Sequence, residues 1–525
     1  MSGNLVSISN GRITCDVPQV NPIAYASPSN AWSSSESNGT NAWRCDFSSG
    51  AVNNNNNKNN TYTVRAVAAL DEEIKIGWLK AYEDCCASKK SSVQCDAYRA
   101  NYADDLVQLM YEIYNGGYRP STSTCFCVSR PKVREIFAAA FRDRVVQHWI
   151  TQRIEPLLEQ RFHETGDVSY NCRKGYGTLA AVSKLQADMS HYGYGEELYV
   201  GRFDVRSFFM SVDVEILWSL LEPFVIERYH GADKDVLLRL LRITVFHRPQ
   251  TDCHKQGDQA LFDILEPRKS LFHSQPNIGM AIGNITSQLL CNLYMSFFDE
   301  WVLSYLRSYG IEDPTRHYIR FVDDFVVHSV PAALFRDFRR AAEEWLRDNL
   351  RLTLHPDKVY IQPQRHGIKF VGSVLMPGRV YLGNRTVGGL HDALHRLDVA
   401  CAEMLKAPSY DRAIRLTHCI QSVNSYLGFM AHTSSYNIRL AMVGGNKNIT
   451  LCCYYKNKHL IVEAKNKYKP KNYLHGMDYQ FAVAEHCDRK ECVGSPAVHA
   501  QHTRRTARRR MAVAGRPTTR RRPQL

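Results

Sequence analysis

Tyr318 to Val327 reads YIRFVDDFVV: an apolar run reaches two adjacent carboxylates, Asp323 and Asp324, and then resumes. The pattern predicts a strand, a tight turn and a second strand. Two carboxylates at the tip of a buried hairpin are costly unless a cation or a basic group sits beside them, and a divalent metal meets that need. Asp also favours turns for purely local reasons. A third carboxylate elsewhere in the chain therefore decides between a site and a simple turn.

Upstream, Leu198 to Phe203 of LYVGRFDVRSFFMSVD predicts a buried strand that ends at Asp204. Two-metal phosphoryl transfer needs hard oxygen ligands bridging ions about 4 Å apart, one activating a 3′-hydroxyl and the other holding a triphosphate. One strand ending in Asp and another turning at Asp-Asp, about 120 residues later, supply such ligands. The pair resembles the palm of a reverse transcriptase, with Asp204 in its first catalytic motif and Phe321-Val322-Asp323-Asp324 in its aromatic-x-Asp-Asp motif. The resemblance implies an α+β fold, a right-hand polymerase with fingers, antiparallel-sheet palm and helical thumb. It implies that Asp204, Asp323 and Asp324, helped by the Val205 carbonyl, bind two magnesium ions, or manganese in their place. Phe209 falls at the family's aromatic steric gate against a ribose 2′-hydroxyl; its alternative is plain core, the role expected of Phe208.

Ahead of the palm, SRPKVREIFAAAFRDRVVQHWI resembles the fingers of bacterial retroelement reverse transcriptases. Arg130, Lys132 and Arg134 precede a helix expected from about Ile136, and suit either a grip on the incoming triphosphate or an exposed basic face. Tyr170 to Gly177, YNCRKGYG, is a basic glycine turn in which Arg173 and Lys174 are candidate nucleic-acid contacts. Phe246 to Ser274 is polar and irregular, and yields no further reading.

Ile282 to Gln288, IGNITSQ, opens a long amphipathic helix. Gly283 permits a close backbone approach to a nucleotide, and Gln288 offers hydrogen bonds near the base pair; a capped helix start fits the same residues. Most reverse transcriptases carry Gln-Gly at the start of this motif and Ser-Pro at its end. Ile282 and Gln288 stand in the outer positions here, a departure that resembles the enzymes of diversity-generating retroelements. That resemblance implies a template-repeat RNA, a primer and dNTPs, adenine-biased misincorporation, and a small basic accessory protein. Further on, Lys358 falls where the family places a lysine near the triphosphate, or is a surface lysine.

The chain of 525 residues is 44% hydrophobic and 22% charged, enough to bury a sizeable core in several subdomains. Its formal charge is +14, and nine arginines between Arg504 and Arg522, Arg508 and Arg509 among them, lie without one acidic residue. Such a tail, 475–525, is read as disordered and suited to an anionic polymer. Residues 1–70 are an Asn/Ser-rich leader with Asn53 to Asn57 unbroken, and resemble either a translated template repeat or the end of a lectin-like fold. Fingers and palm are expected over 71–375, thumb and a basic, tyrosine-rich extension over 376–474. In that extension Lys456 and Lys458 suit single-stranded nucleic acid. Sixteen scattered cysteines with no signal peptide point to a reducing interior, the cytoplasm of a bacterial or phage-infected cell. No apolar run approaches a membrane span. Two alternatives stay open: another bacterial reverse transcriptase, of group II intron, retron or phage-defence type, and a non-catalytic RNA-binding scaffold.

Overall fold

The computed structural model describes residues 72–87 and 93–473, apart from 130–131, 196 and 444–445; between 6 and 67 it describes the backbone of seven strands. Five of those strands form one antiparallel sheet, which includes the asparagine-rich Val52–Asn57, and Val6–Ser9 pairs with Arg12–Cys15. Arg130, Arg508 and Arg509 lie outside the described residues.

The palm is a four-stranded antiparallel sheet in the spatial order Tyr318–Phe321, Asp324–Pro331, Leu198–Asp204, Tyr360–Pro363. Alternation along the central strand sends Phe325 and Val327 into the larger core and Val326 into a smaller one on the opposite face. Both faces are covered, and for this reason the strand reads as a continuous apolar run. Helices Ile285–Ser308 and Ala332–Leu350 pack on the first face; helix Thr178–Tyr192 and the sheet of Ile368–Phe370, Ser373–Met376 and Arg379–Leu382 pack on the second. Gly201 is required in this packing, since a Cβ there would lie 2.5 Å from the Phe335 ring of helix Ala332–Leu350.

In the fingers, Ser123–Val128 pairs with Arg134–Ala138, and helix Phe141–Glu164 follows. The helix thus begins later than the sequence suggests. Glu135 and Phe137 are buried while Arg134 is exposed, an alternation that suits a strand, and alanines 138 to 140 carry the chain to the helix. Phe246 to Ser274 is built rather than irregular. Cys253–Gln256 adds a parallel strand beside Ser123–Val128, and short helical turns bring the chain back to the palm. Helices Asn384–Lys406 and Tyr410–Met430 form the thumb around their own core, with the hairpin Cys453–Lys456/Ile461–Ala464 beside them.

Candidate active site

Strand pairing sets Asp204 directly opposite Asp324, and the turn between the hairpin strands consists of Val322 and Asp323. The Val205 amide donates to the Asp323 carbonyl at 3.0 Å, which brings the third carboxylate beside the other two. Val322 has φ +61°, a costly conformation for a β-branched residue that persists only when its surroundings enforce it. Arg320 does so from beneath. Its fully buried guanidinium pairs with Asp299 at 2.6 and 2.7 Å and donates to the Val322 carbonyl at 3.0 Å. Arg320 escaped the sequence reading, although an arginine inside an apolar strand signals a buried partner.

The carboxylates differ in environment. Burial, then the Asp204 and Asp324 charges, push Asp323 up to about 6. Asp324 is also raised, by burial, but Arg202 holds it down through a fork of 2.7 and 2.5 Å. Arg202 lies two residues before Asp204, hence on the same face of the strand. Lys358 donates to Asp204 and lines the cavity beside it.

Among the described residues no three His, Cys, Asp or Glu side chains converge as a cation site, and Asp204 and Asp324 are each turned to a basic partner. In kind the donors nevertheless suit a hard divalent ion: Asp204 and Asp324 face each other across the strands with Asp323 at the adjoining turn, and burial, then the neighbouring carboxylate charges, lifts Asp323, a penalty that a cation would relieve.

Beside the carboxylates opens a cavity of about 450 Å³, with Lys132, Arg134, Arg206 and Lys358 on its walls and Phe209 and Ile282 among its apolar residues. Phe209 is half-buried, its ring edge-on to the core residue Phe208; it lines the cavity and also packs against the core, so its position fits both the gate and the core reading. Three expectations are corrected. Gly283 does not make room for a nucleotide. With φ +126°, it lets the chain pass the fingers, where a Cβ would sit 2.5 Å from the Phe137 carbonyl oxygen and where the Ile282 carbonyl accepts the Phe137 amide at 2.8 Å. Gln288 lies outside the cavity, exposed, with its Oε1 3.4 Å from Cys172 Sγ. Arg173 is not a free nucleic-acid contact: its side chain is buried, bonded to Glu159 and Asp167 at 2.6–3.1 Å, and packed on the Tyr176 ring.

Lys174 is exposed and paired with Glu155 at 2.9 Å. Lys456 and Lys458 are exposed on the thumb hairpin, the former paired with Glu463. Of the nearby tyrosines, Tyr455, Tyr468 and Tyr473 pack into the thumb core, which leaves Tyr454 to offer a face.

Residues 128–375 match the family model described as reverse transcriptase (RNA-dependent DNA polymerase). Protein YkfC of Escherichia coli (strain K12) is 25% identical over 316 residues, which cover 55% of this chain and 76% of that protein. Among solved structures, telomerase from Candida albicans, in complex with a TWJ fragment of telomeric RNA, aligns over 63% of this chain and 65% of its own at 11% identity and TM-score 0.38. A truncated apo telomerase from Candida tropicalis aligns over 50% of this chain and 55% of its own at 12% identity and TM-score 0.35. The chain thus spans less than two thirds of the length of these telomerases.

Proposed function

We propose, from the premise that this chain carries an RNA-directed DNA polymerase domain with a right-hand fold, that it copies a template-repeat RNA into adenine-mutagenised cDNA for diversification of a target gene. The observation that carries the polymerase reading is the cross-strand register of Asp204 with Asp324, Asp323 at the turn beside them, at the head of a basic cavity. Asp204, Asp323, Asp324 and the Val205 carbonyl would hold two magnesium ions, which when bound supply the positive charge that a 3′-hydroxyl nucleophile and a triphosphate require. Lys132, Arg134 and Lys358 position the triphosphate by charge, and the Phe209 ring excludes a ribose 2′-hydroxyl. Arg202 fixes the orientation of Asp324, and Arg320 fixes the turn.

Support for the error-prone reading comes from Ile282, an aliphatic side chain lining the cavity where most of the family carries glutamine. A pocket that makes one fewer polar contact discriminates less, since each 1.4 kcal/mol is about tenfold. The setting proposed is the cytoplasm of a bacterial or phage-infected cell, with template RNA, primer, dNTPs and a small basic accessory protein as partners.

The test is primer extension on an adenine-containing RNA with magnesium, followed by cDNA sequencing scored by template base. Asp323→Asn should lower incorporation at least about a hundredfold while RNA binding persists. Should the enzyme copy adenine as accurately as the other bases, a faithful bacterial reverse transcriptase remains. No extension at all, with RNA still bound, would leave only the scaffold.

A further inference from the structure

The segment Glu266–Ser274, which the sequence left unread, forms one wall of the nucleotide cavity, contributing Glu266, Arg268 and Lys269. Its place is fixed by a buried carboxylate. Glu135, fully buried on the fingers strand Arg134–Ala138, accepts Ser270 Oγ at 2.8 Å and the Leu271 amide. Burial pushes Glu135 up and these two bonds pull it down. Aromatic contacts reinforce the attachment, with Phe272 5.7 Å from Phe137 between ring centres and the Lys255 ammonium 4.2 Å from the Phe272 ring. The segment is therefore joined to the same strand that begins at Arg134, and its cations share the fingers' frame.

Lys269 pairs with Glu266 at 2.5 Å, whereas Arg268 has no carboxylate partner among the described residues, and neither does Arg206 across the cavity. Arg206 and Arg268 also line a second cavity of about 260 Å³, which shares Ser207 and Met210 with the first. The two guanidiniums thus border both spaces. Lys132 is depressed by burial and then by the Lys358 and Lys269 charges, although Asp204 opposes the shift, so several cations crowd this part of the cavity.

We propose that the Glu266–Ser274 segment is a phosphate-binding wall, in which Arg268 of that segment and Arg206 of the palm grip the polyphosphate of the incoming nucleotide, with Lys269 in support. The inference rests on the polymerase reading for the nucleotide, but the anion site itself does not need it. Guanidinium forks match phosphate oxygens, and a donor borne on the fingers closes on the ligand with Lys132 and Arg134. Glu135 acts as a positioning residue, through the backbone that carries Arg268.

The experiment titrates inorganic tripolyphosphate into the full chain by calorimetry, and in parallel measures dNTP kinetics and binding of an RNA–DNA hybrid. Arg268→Ala should weaken tripolyphosphate about tenfold, or about 1.4 kcal/mol, and raise the dNTP KM by a similar factor with kcat within about twofold. Arg268→Lys should recover part of this, and Arg340→Ala, an exposed arginine outside the cavity, none of it. Ser270→Ala should reproduce a weaker form of the defect by loosening the segment. Tripolyphosphate affinity unchanged in Arg268→Ala overturns the inference. So does a loss confined to hybrid binding, which would make the wall a template contact. An unmodified chain that extends no primer, yet binds tripolyphosphate through Arg268, would sustain the anion site while refuting the polymerase reading.

Discussion

Replacing Arg202 with alanine removes both hydrogen bonds of the fork at 2.7 and 2.5 Å and leaves Asp324 at the centre of the sheet edge without its cation. The pair is largely enclosed, with side chains 23% and 14% exposed, so solvent screens it weakly. Hydrogen bonds to charged groups contribute about 1.5–3 kcal/mol, and an uncompensated carboxylate adds its own desolvation cost. If that energy serves to hold Asp324 opposite Asp204, its loss should lower kcat by about 10- to 100-fold at tenfold per 1.4 kcal/mol. The KM for dNTP should move little, because Arg202 is not on the cavity wall. Arg202→Lys should recover only part of the rate, an ammonium being unable to form the fork. Steady-state primer extension measures both constants, and circular dichroism melting reports whether the sheet survives. A kcat within twofold of the unmodified protein, in a folded Arg202→Ala, would refute the positioning argument.

Phe209→Ala or Phe209→Val should admit ribonucleotides, because the ring lines the cavity; unchanged dNTP/rNTP selectivity in competition assays would assign Phe209 to the core. Gly283→Ala must both hold φ +126° and place its Cβ 2.5 Å from the Phe137 carbonyl, so a loss of about 2–3 kcal/mol is expected in urea unfolding. A variant as stable as the parent would show that the fingers give way easily. His317 and His328 are kept neutral in the fold chiefly by burial, their pKa values lowered below 6.5. Because the folded values are depressed, stability should be full above about pH 6.5 and fall as pH drops below it, by up to about 1.4 kcal/mol per unit for each histidine. Urea midpoints between pH 7.5 and 5, compared with His328→Gln, would show a shallower slope in the variant; identical slopes would place the acid sensitivity elsewhere.

The sequence by itself determined where Asp204, Asp323 and Asp324 sit, at a strand end and a hairpin turn, because that placement depends on local rules. A strand ending at Asp204 and a hairpin turning at Asp323 are written in strand alternation and turn chemistry, and the observed strands Leu198–Asp204, Tyr318–Phe321 and Asp324–Pro331 follow that pattern. The long helix expected to open within Ile282 to Gln288 was legible in the same way, and stands at Ile285–Ser308. Only the tertiary structure decided which charges are free. Arg173 looks like a nucleic-acid contact in YNCRKGYG, but Glu159 and Asp167 meet it at the end of helix Phe141–Glu164, and charge in a sequence does not encode its partner. Gly283 reads as room for a ligand until the fingers strand fills that room. Arg202, Arg320 and the Glu266–Ser274 wall went unread because their roles depend on contacts across 21 to 136 positions of sequence, to Asp299, Asp324 and Glu135. Periodicity and turn chemistry act over a few residues, whereas burial and ion pairing are set by whatever folding brings alongside.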